Sequence, residues 1–196
     1  MCQDVVVPAD SRVRRTREEI LSVAARLFAE RGYAATSTRL IADAVGIRQA
    51  SLYYHFPSKE AVLAELLAST VRPSLELCRD LEAADLAPAE ALRRLVTFDV
   101  GVLLRVEGNV GLLYALPEVG TDPFSTFRTE RAELRDAYAR LATAALAPGV
   151  HPVTADLVLG LVESVIPLRR DSPKLPPPDE VGEALAAAAL RMLGAG

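Results

Sequence analysis

The side chains best suited to chemistry stand close together in one short stretch, between Gly46 and Pro57. Leu52 and Phe56, four residues apart, would lie on one side of a helix here and anchor it. The outward positions carry a donor-rich and aromatic set, which is Arg48, Gln49, Ala50, Tyr53, Tyr54 and His55. Two exposed tyrosines would leave apolar surface in contact with water, which is unfavourable unless a partner covers them. The set therefore suits contact with DNA.

The elements that would position this stretch are helices. Alternating β-branched runs are missing and the apolar residues recur at three- and four-residue spacings, which predicts an all-α fold. A first helix is expected from residue 16 or 17 to 32, a second between the hydroxyl-rich segment 35–38 and Gly46, and a third over residues 48–56. Two short helices around a Gly turn, packed on a longer one, form a helix-turn-helix, whose last helix fits a major groove ~12 Å wide.

The rest of the chain predicts a further series of helices. A fourth helix, over residues 59–71, acts as a connector because Pro73 must bend the chain. Later helices are expected over residues 74–84, 88–106, 110–116, 124–146, 154–166 and 179–193. The predicted domain limits are residues 11–58 for a DNA-binding domain, 59–72 for a connecting helix and 73–196 for a larger ligand-binding and dimerisation domain.

Charge is divided unevenly along the chain. The 196 residues carry 22 Lys and Arg against 26 Asp and Glu, a net charge of −4 with a pI near 5.3, and an acidic protein is not an obvious partner of a polyanion. Residues 11–60, however, hold nine Arg and Lys against five Asp and Glu, so this segment is +4 and the remainder is −8. The same segment holds five of the ten Phe and Tyr residues. A small basic unit joined to a larger acidic one indicates two functions in one chain.

Catalysis finds little support in the residue pattern. His55 and His151 stand far apart in the sequence, and neither a metal-ligand spacing nor a phosphate-cradling Gly-rich loop is found. We therefore expect no enzyme activity, no metal and no cofactor. Cys2 and Cys78 give no disulfide framework, no apolar run approaches the ~20 residues that span a bilayer, and residues 1–10 lack the features of a signal peptide. These features predict a cytoplasmic protein with no membrane partner.

One dense run of residues resembles a known family. The resemblance rests on FAERGYAATSTRLIADAVGI, which begins at Phe28, and on LYYHFPSKE, which begins at Leu52. Together they look like the DNA-binding domain of the TetR family of bacterial transcriptional repressors, and the likeness runs without a gap over residues 15–67. The rest of the chain is similar only in length, helicity and an amphipathic C-terminus. The resemblance implies a homodimer in which each subunit carries a three-helix reader and a larger helical domain, and in which effector binding weakens operator binding.

The resemblance also implies roles for single residues. Thr38 corresponds to a phosphate contact at the start of the second helix, and Lys59 to one at the start of the fourth. Arg48 and Gln49 would reach base edges, Arg toward guanine and Gln toward adenine. Tyr53 and His55 match positions that touch the DNA backbone, with Tyr54 beside them. The DNA-binding set is therefore Thr38, Arg48, Gln49, Ala50, Tyr53, Tyr54, His55 and Lys59.

Some of these assignments have alternatives. Ala50 departs from the family, where many members have Gly, so its methyl group could exclude close backbone approach or meet a thymine methyl. Tyr53, Tyr54 and His55 could instead belong to a core or a solvated cap. Four further arginines could add phosphate contacts or form a solvated face, and they are Arg12, Arg14, Arg15 and Arg17.

Two C-terminal helices are apolar on more than one side, which is typical of helices buried on several faces. In the helix 154–166 these residues are Val158, Leu159, Leu161, Val162, Val165 and Ile166. In the helix 179–193 they are Val181, Ala184, Leu185, Ala188 and Met192, with further alanines around them. We expect a four-helix seam across a two-fold axis, which would set two recognition helices ~34 Å apart. The alternative is a monomeric core.

The middle helices hold most of the remaining aromatic and bulky apolar residues. An apolar lining with a few polar anchors is typical of a ligand pocket. The candidate pocket residues are Phe98, Asp99, Val102, Arg105, Tyr114, Phe127 and Tyr138. The alternative is an ordinary core with solvated charges. A small effector of apolar or aromatic character is expected.

Together these features predict a ligand-responsive repressor that binds a palindromic operator as a homodimer and is released by its effector. The alternatives are a helix-turn-helix protein without effector control, and an activator.

Overall fold

The computed structural model describes residues 9–172 and 174–195, and over these residues it is all-α. The α-helices, in chain order, are α1 (Ala9–Arg31), α2 (Thr38–Val45), α3 (Gln49–His55), α4 (Lys59–Ala68), α5 (Arg72–Ala83), α6 (Pro88–Arg105), α7 (Ser125–Ala144), α8 (Val153–Glu163), α9 (Val165–Asp171) and α10 (Pro178–Met192). Three 3₁₀ segments lie between α6 and α7, namely Glu107–Ala115, Pro117–Gly120 and Asp122–Phe124. The predicted fold class is confirmed.

The chain forms two compact units that divide between Leu66 and Leu67, inside α4. This division falls within the predicted connecting segment 59–72, whose limits stay a prediction. α4 itself ends at Ala68, before the predicted end near Val71.

Caps at both ends define α2 in the N-terminal unit. The Ser37 hydroxyl accepts the backbone N–H of Leu40 at 3.2 Å, which satisfies one of the open donors at the helix start. Gly46 ends α2 in the left-handed region with φ at 81°, and its N–H donates to the carbonyl oxygens of Ala42 and Asp43. The short second helix predicted between these two residues is therefore confirmed.

Apolar side chains of the first helices meet in one core. Leu52 and Ile41 are fully buried, and Phe56 is almost fully buried. Phe28 meets Tyr33 edge to face, with ring centroids 5.2 Å apart. Burying a leucine side chain contributes about 2 kcal/mol to the stability of the fold, so Leu52 alone contributes much of the energy that holds α3 against the core. The predicted anchoring role of Leu52 and Phe56 is confirmed.

The first helix begins earlier than predicted, at Ala9 rather than at residue 16 or 17. Arginine is a good helix former, and Arg15 pairs with Glu19 one turn further on at 3.5 Å. The arginine-rich segment is therefore helical. The side chain of Arg12 and the whole of Cys2 lie outside the described part of the chain.

In the C-terminal unit α6 is the central helix, since it packs against α5, α7, α8, α9 and α10. Its crossing with α10 is close at Gly182, where an added methyl carbon would stand 2.9 Å from the carbonyl oxygen of Thr97. An ion pair between Arg93 and Glu183, at 2.9 Å, reinforces the same crossing.

The predicted helix 110–116 is replaced by the 3₁₀ segment Glu107–Ala115, so that prediction is wrong in helix type and start. Gly108 and Asn109 both adopt positive φ, at 68° and 46°, which breaks the run of helical backbone after α6.

The predicted single helix 154–166 is also wrong, because the structure divides it into α8 and α9 at Ser164. Pro167 explains the division: it has no N–H to donate to the Glu163 carbonyl, and its ring crowds that carbonyl.

Among the helices described, none combines the length and the apolar character needed to cross a membrane.

Candidate functional site

The outer face of α3 is exposed while its inner face is buried. Leu52 is 0% exposed, whereas the adjacent Tyr53 is 46% exposed and Tyr54 is 78% exposed. Arg48 is the N-terminal cap residue of α3, and Gln49 and Ala50 form its first turn on the exposed side. His55 is half-buried and meets the Tyr54 ring edge to face at 5.3 Å. The structure thus brings six of the predicted DNA-binding residues together on one short helix.

A chain of side-chain hydrogen bonds links α3 to the start of α2. The Gln49 side-chain amide donates to the Thr38 hydroxyl at 3.0 Å, and the Thr38 hydroxyl shares a second hydrogen bond with the Tyr53 hydroxyl at 3.1 Å. All three groups are near the surface. The chain orients Gln49 and Tyr53 before any partner arrives, which lowers the entropic cost of contact. Sequence reasoning missed this link, because its members are 11 and 15 residues apart.

Lys59 has a structural partner as well as its predicted phosphate contact. Its Nζ donates to the carbonyl oxygen of Tyr33 at 2.9 Å and lies 4.1 Å from the centroid of the Tyr33 ring. An ammonium group has three donors, so two remain for other acceptors. The neighbouring Glu60 carries a lowered pKa, because its own backbone N–H and then the Ser58 hydroxyl donate hydrogen bonds to its carboxylate. Lys59 therefore joins the start of α4 to the turn after α1.

The N-terminal arginines differ in their surroundings. Arg17 pairs with Glu65 at 2.9 Å, and its guanidinium lies 4.9 Å from the centroid of the Phe56 ring. Arg15 pairs with Glu19, and Arg14 is exposed. Arg17 is thus engaged within its own unit, while Arg14 is open to solvent.

The candidate pocket residues fall into two groups. The first group surrounds the buried carboxylate of Asp99, which is 2% exposed. The Ser74 hydroxyl donates to its Oδ1 at 2.7 Å and the Tyr138 hydroxyl to its Oδ2 at 2.9 Å. Burial raises the pKa of Asp99 to about 6, although these two hydrogen bonds act in the opposite direction. Asp99 is therefore a buried acid that two hydroxyl groups satisfy.

Tyr114 and Phe127 belong to the same region. Their ring centroids are 5.4 Å apart, and the Tyr114 hydroxyl shares a short hydrogen bond with the Thr70 hydroxyl. Burial raises the pKa of Tyr114. A small cavity of about 10 Å³ is lined by Thr70, Tyr114 and Asp99, which is room for about one water molecule. The polar lining is therefore present, but the space is small.

Phe98, Val102 and Arg105 form the second group, on another face of α6. Phe98 is exposed, Val102 is half-buried, and Arg105 pairs with Asp179 on α10 at 2.5 Å. The structure does not bring this group to Asp99.

A helical unit with an exposed polar recognition helix, joined to a larger helical unit, defines the class of helix-turn-helix DNA-binding regulators. The family model described as "Bacterial regulatory proteins, tetR family" matches residues 20–66. The crystal structure of AmtR from Mycobacterium smegmatis is similar over 99% of this chain and 90% of AmtR, with 46% identity and a TM-score of 0.86.

Two further proteins extend the comparison. A transcriptional regulator of the TetR/AcrR family from Thermobifida fusca is 30% identical, over 90% of this chain and 97% of that protein, with a TM-score of 0.64. The transcriptional repressor KstR2 of Rhodococcus jostii is 44% identical over 92 residues, which are 46% of this chain and 45% of KstR2. The chain spans a little under half the length of the curated relatives it matches first. This chain belongs to the TetR family of bacterial transcriptional regulators.

Proposed function

We propose that the protein is a ligand-responsive repressor that binds a palindromic operator as a homodimer and is released by a small effector. The observation that carries the proposal is the two-sided character of α3, which has a fully buried Leu52 beside the exposed rings of Tyr53 and Tyr54. A helix that is anchored on one side and rich in donors on the other is suited to a major groove.

The residues of this face take separate roles in the proposal. Arg48 and Gln49 read base edges, and the exposed Ala50 beside them either meets a thymine methyl with its own methyl group or limits how closely the backbone approaches. The remaining residues hold the DNA backbone, and they are Thr38, Tyr53, Tyr54, His55 and Lys59.

The charge distribution supports DNA contact through the N-terminal part of the chain. Residues 11–60 carry a net charge of +4 and attract DNA, whereas the remainder carries −8 and repels it. Bacterial DNA lies in the cytoplasm, where the protein would act.

An exposed apolar stripe supports the homodimer. Along α8 and α9 a set of exposed residues that carry no charge recurs at intervals of three or four, namely Val153, Leu157, Gly160, Ser164 and Leu168. Leu157 is 53% exposed. On α10, Ala184 and Ala187 are exposed as well. A second copy of the same stripe would cover these groups across a two-fold axis.

The buried polar group around Asp99 supports effector control. Buried polar residues in a core usually cost stability unless every group is satisfied, and two hydroxyls satisfy this carboxylate. An apolar or aromatic effector that binds beside Tyr114 and shifts its ring would disturb the packing around this carboxylate. The candidate residues at this place are Asp99, Tyr114, Phe127 and Tyr138, with Phe98, Val102 and Arg105 as a separate group on α6.

Selection of bound fragments from genomic DNA tests the DNA-binding part of the proposal. We expect a two-fold symmetric site whose half-sites are about one helical turn, ~34 Å, apart or a multiple of that distance. Fragments without a shared or symmetric sequence would contradict it.

Sedimentation of a stripe variant tests the homodimer. Leu157→Glu would place a charge in the proposed seam and should give a monomer, while Leu112→Glu, at another exposed leucine, should not change the mass. A wild type that sediments as a monomer would contradict the homodimer.

The small size of the cavity favours one alternative, a DNA-binding protein without effector control. A compound that binds saturably and releases the selected DNA separates the two functions. Transcription from the selected site, higher with the protein than without it, would instead indicate an activator.

A further inference from the structure

An open cleft adjoins the aromatic pair of the C-terminal unit, between α7 and the segment that precedes it. Its volume is about 370 Å³, within the size range of small-molecule sites. Tyr114, Leu116, Val119 and Phe127 form an apolar side. The lining also includes three arginines of α7, which are Arg128, Arg131 and Arg135.

These arginines recur at intervals of three and four along α7 and therefore share one face. Like charges at such spacings destabilise a helix by a few tenths of a kcal/mol per pair. Arg131 pairs with Glu163 at 2.5 Å. Arg128 donates instead to the backbone carbonyls of Val119 and Thr121, and among the side chains of residues 13–172 and 174–195 neither Arg128 nor Arg135 has a carboxylate partner. The cleft therefore keeps an excess of positive charge inside an acidic part of the chain.

Arg131, which lines the cleft, has unused hydrogen-bonding capacity. Its Nε is buried and has no hydrogen-bond partner among the described residues. A buried donor without an acceptor is costly, typically by 1–3 kcal/mol. The same guanidinium lies 5.0 Å from the centroid of the Tyr114 ring, which fixes its position over the aromatic wall. A ligand acceptor that reached this Nε after a small shift of the Arg131 side chain would remove this cost.

We propose that this cleft, defined by Arg128, Arg131 and Arg135 against Tyr114 and Phe127, binds the anionic group of the effector. The ligand class is a carboxylate or phosphate carried by an apolar or planar body, which lies on the two rings while the anion meets the arginines. Guanidinium groups suit both anions, because their fork of donors matches two oxygens at once. The inference rests on the proposed function, since it names the chemistry of the effector.

The cleft also has a connection to the end of α4. Tyr114 shares its hydrogen bond with Thr70, two residues after Ala68, the last residue of α4. A ligand that displaces the Tyr114 ring breaks or shifts this hydrogen bond. Movement of the Tyr114 ring on binding would therefore change a hydrogen bond that lies two residues beyond the end of α4.

Three naphthalene probes test the inference. Each is titrated into the whole protein, and binding is monitored by NMR. They are 2-naphthoate, 2-naphthyl phosphate and the uncharged 2-naphthamide. We expect at least one of the anions to bind about tenfold more tightly than the amide, the difference that a charge-assisted contact supplies. The stronger of the two anions identifies the carboxylate or the phosphate as the preferred group.

Arg135→Gln is the informative variant, because Arg135 makes no ion pair within the described residues and its loss should not disturb folding. The preferred anion should bind about fivefold more weakly to it, with binding of the amide unchanged. Arg140→Gln on the same helix, where Arg140 pairs with Glu82 outside the cleft, should bind all probes as the wild type does. Equal affinity for anions and amide, no binding of either anion, or an unchanged Arg135→Gln protein would each overturn the inference.

DNA binding is measured separately, by fluorescence anisotropy with a selected genomic fragment. A protein that binds this DNA but neither anion contradicts only the anion site. A protein that binds an anion at the cleft but selects no DNA contradicts the proposed function instead.

Discussion

The two units keep their polar side chains in opposite places. In the N-terminal unit Gln49, Thr38 and Tyr53 form a hydrogen-bonded chain at the surface. In the C-terminal unit the polar group around Asp99 is buried, and hydroxyls of Ser74 and Tyr138 satisfy it. A surface that meets a partner keeps its donors accessible, whereas buried donors and acceptors must find partners within the chain. The N-terminal unit therefore keeps hydrogen-bonding groups accessible at its surface, whereas the C-terminal unit satisfies those around Asp99 internally.

The largest effect is expected where the contact surface depends on its buried side. Leu52→Ala removes a fully buried side chain under α3 and should lower the free energy of unfolding by about 3 kcal/mol. This variant should also lose DNA binding, because α3 is no longer held in place by its buried side chain. Tyr54→Ala, on the exposed side of the same helix, is the control and should leave the unfolding midpoint in urea unchanged. If both variants unfold alike, the two-sided character of α3 is refuted.

A pH-dependent effect of similar size is expected from Asp99. Burial raises its pKa from 3.8 to about 6, so the folded state binds the proton more tightly than the unfolded state. The resulting stability is present below about pH 4 and is lost as the pH rises through 6, a change of about 3 kcal/mol.

Asp99→Asn should abolish this dependence, because an amide does not titrate. The unfolding free energies of the wild type and of Asp99→Asn, measured in urea at pH 4, 5, 6 and 7, would therefore differ by an amount that varies with pH. Contributions of the other carboxylates cancel in this difference. A difference that stays constant from pH 4 to pH 7 would show that Asp99 does not titrate in this range.

The smallest effect is expected at the surface chain of hydrogen bonds. Tyr53→Phe removes only the hydroxyl that meets Thr38, an exposed contact. Operator affinity should fall about threefold, in keeping with a hydrogen bond worth roughly 0.5–1 kcal/mol. Tyr54→Phe is the matched control for a neighbouring tyrosine hydroxyl. Equal losses for both would assign the effect to direct phosphate contact rather than to the link with Thr38.

The N-terminal unit is the more predictable of the two from sequence, because its signals are local. Ser37 and Gly46 define α2 through contacts within four residues, and Leu52 and Phe56 lie one turn apart. The start of α1 was harder to predict, since arginines carry no cap signal although they favour a helix. The hydrogen-bonded chain from Gln49 to Tyr53 through Thr38 depends on how α2 and α3 pack, which no local pattern encodes.

In the C-terminal unit the decisive contacts are distant in sequence. Asp99 meets partners 25 and 39 residues away, so its role as a buried acid was not visible in the helical periodicity. Apolar stripes predicted α8 and α10 but could not separate a face packed on α6 from one open to a second copy. Pro167 was available as a signal for the break between α8 and α9, and the apolar pattern around it concealed that break. The predicted pocket set joined residues from two faces of α6, because the apolar pattern does not show which face of a helix packs on which neighbour.

The central claim is that the exposed face of α3 reads DNA, and operator affinity of Arg48→Ala tests it most directly. The measurement is fluorescence anisotropy with the selected site, beside Arg26→Ala as a control at an exposed position of α1. We predict that Arg48→Ala binds about tenfold more weakly, by the 1–3 kcal/mol of a guanine contact, with an unchanged unfolding midpoint and relaxed preference at one base pair. Wild-type affinity and base preference in Arg48→Ala would contradict the account.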